Sequence, residues 1–418
     1  MNDMVFSILN GINIAFGVIA TLFMVYQIAI AACGLKPAKK CRAEVTRQHK
    51  FGIVICARNE EDVIGYLIDS LLAQDYPRDR FDIIVLADNC TDQTAKVSRD
   101  KGCIVYERFN DQKVGKGFAL HWLYDRLFKD EPDTYDAICM FDADNIVDKG
   151  YLAAMNRQLC AGTQIAQGYR DMKNPADNWV SGGYSLYWYT LMRFYYVARN
   201  NIGLTAMCTG TGFMFRWEVM KKLGGWNTRS MCEDVEFSFR RVADGYKIVL
   251  DTEAIFYDEQ PTSFALSIRQ RYRWAVGNIQ SVIYCAGDLL KAAFKKRSLV
   301  ALDVFMFSLC IPSVSFMVFS ALLQLGLMIA NPASLPTTLP IALLSLVGGY
   351  LVMVGQGILV LLLEKKKIKP MWKGLLMYPI FVVSWAIINF VGLFYRKSVW
   401  KPIRHTKAMT IEQMEQEL

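Results

Sequence analysis

Histidine is scarce. His49, His121 and His405 are the three in 418 residues, and they are scattered, which argues against a histidine metal site. No CxxC pair occurs among the 11 cysteines, and their number is odd. That excludes a zinc module and a stapled secreted scaffold. Cys56, Cys90, Cys103 and Cys139 fall in apolar strand-like runs or beside acidic motifs, as reduced thiols of a cytosolic domain do. No internal repeat and no low-complexity tract is present, which argues against solenoids and disordered tails. A Walker A loop is missing too: GKGFAL, residues 115–120, lacks the first glycine and the spacing. There is no acidic excess. The net charge is +8, but the surplus sits beside apolar runs, in KPAKKCR, KKR and EKKKIK. Nucleic acid is therefore not an expected partner, and a lipid bilayer is.

Apolar residues are plentiful, at 53%, and a few long runs carry them. Residues 4–35 are almost free of charge and long enough to cross a bilayer. Basic residues follow this run, whereas a cleaved signal has them in front. A transmembrane helix is expected over residues 1–35 with its N-terminus outside, then a basic linker over 36–50 in the cytosol. Residues 51–262 hold no spanning run. There FGIVICA, DIIVLAD, GCIVYER and AICMFDAD read as buried strands. EEDVIGYLIDSLLAQ and FALHWLYDRLF read as amphipathic helices between them. This alternation predicts an α/β domain with a doubly wound, largely parallel sheet. Ligands bind such sheets at the carboxyl ends of the strands.

Interface helices are expected over 263–297, a membrane region over 298–396 and a cytosolic tail over 397–418. The membrane region has apolar runs at 298–330, 339–363 and 375–394. The last run is basic on both flanks. A single crossing would put the second flank outside, against the positive-inside tendency. A re-entrant hairpin, or a pair of short tilted helices, is favoured over one span.

FDADN places Asp142 and Asp144 at i and i+2, on one face of a strand. Two such carboxylates can hold one Mg2+ or Mn2+ against a diphosphate, although paired acids also end ordinary strands. LADNCTDQTA ends a strand at Asp88, which can accept hydrogen bonds from a uracil imide or a ribose. Asn89, Thr91 and Asp92 read as turn or cap residues. VICARNEE brings Ala57, Arg58 and Glu60 after the first strand, where a nucleotide base sits; Glu60 and Glu61 also suit a helix start. Lys116 can reach a phosphate. CTGTGFMFR offers Gly210, Thr211 and Gly212 for close approach to a flat substrate, or simply for a tight turn. MCEDVEFSFR opens a helix with three acids. They stabilise its first turn, or Asp234 beside Glu233 takes the acceptor hydroxyl's proton as a general base. In RQRYRW, residues 269–274, a helix puts Gln270, Arg273 and Trp274 on one face. Arginine suits phosphate and tryptophan a sugar ring. Interfacial anchoring explains those two but not the glutamine. Arg271 and Tyr272 point elsewhere and are assigned support.

In this order and at these distances the motifs resemble the membrane-integrated family 2 glycosyltransferases. These include the hyaluronan, chitin, cellulose and poly-N-acetylglucosamine synthases. By motif the resemblance covers residues 54–274. It implies a GT-A (Rossmann-like) domain on the cytosolic face of the plasma membrane, a UDP-sugar donor and a divalent metal, Mg2+ or Mn2+. It also implies inverting hexosyl transfer by single displacement, with a polymer path through the transmembrane helices.

By the same resemblance, Ala57, Arg58, Glu60 and Asp88 lie at the nucleotide. Lys116, Asp142, Gln270 and Arg273 lie at the donor diphosphate. Asp144 is the surer metal ligand, with Asp142. Gly210, Thr211, Gly212 and Trp274 meet the acceptor, and Glu233–Asp234 is the catalytic pair. Cys232 stands where many relatives have threonine or serine. That hydroxyl is not the proton acceptor, so activity is expected to survive. In the tail, Trp400, His405 and Thr406 resemble a gating segment of the hyaluronan synthases, with HTK in place of TR.

The favoured expectation is a processive synthase that elongates a β-linked polysaccharide and exports it, alone or with an accessory subunit. The alternatives are transfer to a lipid-linked or short acceptor, and a silent scaffold that binds a nucleotide-sugar. UDP-N-acetylglucosamine or UDP-glucose is the donor expected from family frequency.

Overall fold

The computed structural model describes residues 3–131, 133–331, 335–395 and 407–417. A long helix, α1 (Asp3–Ala32), leads, and a linker carries the chain to the sheet. There β1 (Phe51–Ala57), α2 (Ile64–Leu72), β2 (Phe81–Asp88), α3 (Thr94–Asp100), β3 (Ile104–Arg108), α4 (Lys116–Asp130) and β4 (Ala137–Asp142) alternate. Next come β5 (Ile146–Val147), α5 (Tyr151–Cys160), β6 (Ile165–Met172) and α6 (Trp179–Thr190). A π-helical segment (Leu191–Val197) joins α6 to α7 (Ala198–Asn201). Then follow β7 (Phe213–Arg216), α8 (Trp217–Leu223), α9 (Glu233–Asp244) and β8 (Ile248–Asp258). The rest is helical: α10 (Phe264–Lys295), α11 (Leu299–Ser308), α12 (Cys310–Ala330), α13 (Leu335–Leu363), α14 (Trp372–Phe394) and α15 (Ile411–Glu417).

The sheet has eight strands in the order β3-β2-β1-β4-β7-β6-β8-β5. Successive side chains of a strand face opposite ways, so β1 feeds two cores. Ile53 and Ile55 pack with α2 and α5, and Val54 packs with α4 and the helices behind it. β3, β2, β1 and β4 are mutually parallel, as the sequence pattern predicts. The other half is mixed. β7 runs antiparallel to β4 and β6, and β5 antiparallel to β8. A parallel neighbour needs a crossover back to the starting end. The chain instead enters β7 from the far end, through the loop at 202–212.

Among the described residues, four stretches are long and apolar enough to cross a membrane: Ser7–Leu35, Leu299–Ala330, Leu335–Leu363 and Lys369–Phe394. The second is bent, because Pro312 has no N–H for the Ser308 carbonyl and the helix breaks at Leu309. α1 pairs with α12 through Asn13, which donates to Gln324 at 2.9 Å and accepts from Ser320 at 2.5 Å. Between apolar helices such amide contacts set the register.

The hairpin favoured for residues 375–394 is not formed. α14 is one continuous helix of 23 residues, with Pro379 inside it. Its surroundings explain why no turn is needed. Near its start, Gly374 meets Gly182 of α6 backbone to backbone. Midway, Phe381 packs on Gly183 and Tyr184 of α6. Beyond its end, the Tyr395 carbonyl accepts from the Tyr272 hydroxyl of α10. The loop before α14 is tied to the sheet as well, with Glu364 accepting from Tyr169 at 2.5 Å and Lys366 paired with Asp171. The chain before and after α14 meets the α/β domain, through Lys366 with Asp171 and Lys407 with Asp177.

Candidate active site

Strand register builds the floor of the site. Ala57 pairs with Ala87, and Cys56 with Asp142, so the ends of β1, β2 and β4 come level. A cavity of about 770 Å³ opens over them. It is lined by Ala57, Arg58, Glu60, Asp88, Asp142 and Asp144 from the strand ends and by Lys116 from the start of α4. Gly210, Glu233, Asp234, Gln270, Arg273 and Trp274 close the other side. These thirteen residues come from segments up to 217 positions apart, Ala57 to Trp274.

Two expected residues lie elsewhere. Thr211 and Gly212 are buried behind the cavity wall. The Asp142 N–H donates to the Thr211 hydroxyl at 2.9 Å, and that hydroxyl bonds Asn145, so Thr211 shapes the DxD turn. Gly212 has φ +61°, and a Cβ there would lie 2.0 Å from the Phe256 ring. Its role is to let two strands close. Trp400, His405 and Thr406 fall outside the described residues.

Lys116 is the hub of the charges. Its ammonium donates to Asp142 at 2.5 Å and to the Gly210 carbonyl at 2.7 Å, with Glu233 at 3.9 Å. Burial opposes its charge, but Asp142 and Glu233 outweigh that and hold its pKa above the ordinary lysine value. Asp234 is pushed up to about 7, first by burial and then by the adjacent Glu233 charge. Lys116, the Val235 N–H and Arg170 pull it back only in part. A carboxylate near neutrality can take a proton and give it up at physiological pH. Asp88 is held by Arg108 at 2.5 Å, and burial raises its pKa despite that partner.

The opening of α9 is locked to α10. Glu236 is fully buried and accepts the N–H groups of Arg229 at 2.7 Å and Ser230 at 2.6 Å. From α10, Gln280 accepts the Met231 N–H at 3.0 Å, and Ser281 bonds Ser230 at 2.9 Å. Cys232 provides no side-chain cap; its thiol points to the Trp274 carbonyl at 3.6 Å. Gly277 lets the two backbones close, because a Cβ there would lie 2.5 Å from Cys232 Sγ and 2.7 Å from Cys232 N. Gly277→Ala must therefore push α10 away from the Glu233–Asp234 turn. A shift near 1 Å at such a site lowers turnover about 100-fold. The check is initial-rate assay of the full chain, and a rate within threefold of wild type would show that the contact is slack.

Residues 49–277 match the profile of a family described as Glycosyltransferase like family 2. The chain belongs to that family. Among curated relatives, this family 2 glycosyltransferase is 26% identical over 294 residues to the probable glycosyltransferase YdaM of Bacillus subtilis (strain 168), covering 64% of each chain. It is 26% identical over 273 residues to a beta-monoglucosyldiacylglycerol synthase of Nostoc sp. (strain PCC 7120), covering 62% of this chain and 55% of that one. The match thus spans less than two thirds of either relative. A solved structure, the mannosyltransferase PcManGT from Pyrobaculum calidifontis in complex with GDP-Man and Mn2+, superimposes with a TM-score of 0.61. That match covers 91% of this chain and 98% of that one at 18% identity, and it shows the GT-A fold.

The transferase's residues fit a hard divalent ion. Asp142 and Asp144 both face the cavity. Among the described residues no group of three or more His, Cys, Asp or Glu forms a closed cage. Diphosphate oxygens and water would complete the shell. Sequence reasoning missed Arg108, Arg170, Glu236 and Asp258. Asp258 accepts from Asn145 at 2.8 Å and Gln260 at 2.7 Å beside the DxD turn. Nothing local distinguishes Arg108, Arg170 and Asp258 from ordinary strand charges, and Glu236 reads as one more acid in the first turn of α9. Arg271, expected only to support the helix, is fully buried. Its guanidinium lies over the Phe381 ring at 4.2 Å and donates to Ser384 at 2.8 Å and the Phe381 carbonyl at 3.1 Å. It pins α14 to the face of α10 opposite Gln270 and Arg273.

Proposed function

We propose that this chain transfers a sugar, with inversion, from a UDP-sugar to a glycan at the cytosolic face of the plasma membrane, and so elongates a β-linked saccharide. The observation that carries this reading is one continuous cavity. It joins Asp88 and Glu60, at the nucleotide end, to Asp234 and Trp274. It then runs on between α6, α10, α12 and α14, past Tyr187, Trp385 and Asn389. Asp142 and Asp144 would hold the divalent ion, whose chemistry is to neutralise the diphosphate as it leaves. The acceptor hydroxyl attacks the anomeric carbon, and the bond from that carbon to the diphosphate oxygen breaks. Asp234 receives the hydroxyl proton, and Arg273 and Lys116 are placed to hold the departing phosphates. The inner arm of the cavity is the natural start of the product's path outward.

A second reading, transfer to a lipid hydroxyl, is favoured by the apolar side chains Phe307, Ile311, Val314 and Val382 that line the cavity between α11, α12 and α14. The Nostoc relative's name, a glucosyldiacylglycerol synthase, points the same way. The test uses the full chain in lipid nanodiscs with Mg2+ or Mn2+ and a panel of UDP-sugars. Nucleoside diphosphate release with a long glycosidase-sensitive product supports elongation. A single-sugar lipid product overturns it in favour of the second reading. No release from any donor overturns both. Chelation by EDTA should cut the rate more than about 100-fold, reversibly with Mn2+; a rate that survives chelation removes the metal role of Asp142 and Asp144.

A further inference from the structure

We infer that the turn between α13 and α14 is a docking surface for the headgroups of anionic phospholipids, built from Lys365, Lys367, Lys369 and Lys373 around Trp372. Its placement comes first. One stretch able to cross a membrane ends at Leu363 and the next begins at Lys369, so the turn lies at a membrane surface. It is on the side of the α/β domain, because Glu364 bonds Tyr169 and Lys366 pairs with Asp171, both of β6. The turn alternates. Glu364, Lys366 and Ile368 are partly buried, while Lys365, Lys367 and Lys369 are exposed. Trp372, 54% exposed, and Lys373 continue the outer side, with the Lys373 ammonium over the Trp372 ring at 5.7 Å. No acid occurs from residue 365 to residue 411. Glu364, the acid just before them, is taken up by Tyr169 and Arg193. Among the described residues the four exposed lysines form no ion pair.

Local structure does not account for these charges. The α13 cap is closed by the Lys365 N–H on the Leu362 carbonyl at 3.2 Å and the Lys366 N–H on the Leu361 carbonyl at 2.8 Å. Lys365 has φ +56°, at the position of such a cap that favours glycine. A side chain there costs local stability, so the cap gives no reason for a lysine. The carboxyl end of a helix attracts cations, but only within its last turn. That leaves Lys367, Lys369 and Lys373 without a cause. Lipid phosphates supply one for all four. A lysine stem lies along apolar surface and delivers its ammonium to the headgroups. An exposed tryptophan settles at the same level. A soluble polyanion has no use for that indole, nor for a site at the ends of two spanning helices. Zwitterionic headgroups bring no net charge to the turn, whereas anionic ones do.

The test uses the full chain in nonionic detergent micelles that hold equal amounts of phosphatidylglycerol and phosphatidylcholine. Lipid retained after washing is counted by mass spectrometry. No turnover is needed, so the outcome is independent of the sugar-transfer reading. Each lysine at an anionic surface strengthens binding about fivefold, so wild type should retain phosphatidylglycerol over phosphatidylcholine by at least about tenfold. The variant Lys367→Gln, Lys369→Gln, Lys373→Gln should retain the two within about twofold of each other, and so should wild type in ~1 M salt. The variant Lys96→Gln, Lys129→Gln, Lys149→Gln removes the same charge from the α/β domain and should behave as wild type. Equal retention of the two lipids by wild type overturns the site. So does an equal loss in both triple variants. Displacement of the lipid by inorganic phosphate alone would make the turn a simple anion site and also overturns it. A first variant that melts below wild type in phosphatidylcholine alone assigns the lysines to packing, with the same consequence.

Discussion

Asp234→Asn is expected to lower kcat by at least ~100-fold while donor affinity stays within about twofold. The reason is positional. Asp234 opens α9 close to Gly210, on the side proposed for the acceptor, and Lys116, which bonds the Asp142 carboxylate, also acts on its charge. Losing the carboxylate removes the proton acceptor but leaves the nucleotide end intact. The wild-type pH profile carries the same information. With the Asp234 pKa pushed up to about 7, kcat/KM should rise about tenfold per pH unit below neutrality and flatten above it. Stability should move the opposite way. The folded value lies above the ordinary 3.8, so the fold favours the protonated form. Ionised Asp234 destabilises the native state above pH 7, by at most ~4 kcal/mol, and that penalty fades as the pH falls toward 4. Asp234→Asn should therefore melt higher than wild type at pH 8, with the gap closing in acid. A variant that turns over like wild type would remove Asp234 as the base. One that melts far lower would show that the loss of rate is a folding defect.

The second large effect lies where α1, α7 and α11 meet. Asp303 sits in an apolar run and is nearly dry, as is Arg199, each side chain 4% exposed. Arg199 grips it with two N–H groups, Nε at 2.9 Å and Nη2 at 3.2 Å. The Tyr26 hydroxyl of α1 donates to the same carboxylate, and Gln27 accepts from Arg199 at 3.2 Å. Removing one charge strands the other in an apolar site. Arg199→Ala or Asp303→Ala should each destabilise the chain by ~3–5 kcal/mol, measured by thermal unfolding at fixed detergent. The double variant Arg199→Met, Asp303→Leu should recover most of that loss, because neither charge is then left alone. A double variant as unstable as the singles would show that the cluster is not held by the ion pair.

Asp303 illustrates what a sequence can and cannot reveal. An acid inside an apolar run is visible at once as an anomaly. Its partner is 104 residues away in the chain, and no local pattern points to Arg199. Arg271 is similar. Helical spacing correctly turns it away from Gln270, Arg273 and Trp274. That the opposite face is buried under Phe381 and Ser384 depends on where α14 lies. Thr211 and Gly212 were read together with Gly210 as one small-residue segment. A backbone bend then sends Gly210 to the cavity and its two neighbours into the sheet.

Patterns of short range, namely period-2 and continuous apolar runs, turn signals and paired carboxylates, sufficed to place β1 to β4 and the DxD and ED acids. They also sufficed to place the Gln270–Trp274 face and the long apolar helices. Each rests on contacts or preferences within about ten residues, and those are encoded locally. The antiparallel insertion of β7 and the course of α14 as one helix along α6 and α10 were settled in three dimensions. So were the Gly277–Cys232 contact that joins α10 to the start of α9, and the aromatic side of the cavity. These depend on which distant surfaces bury each other, and chain order does not carry that information.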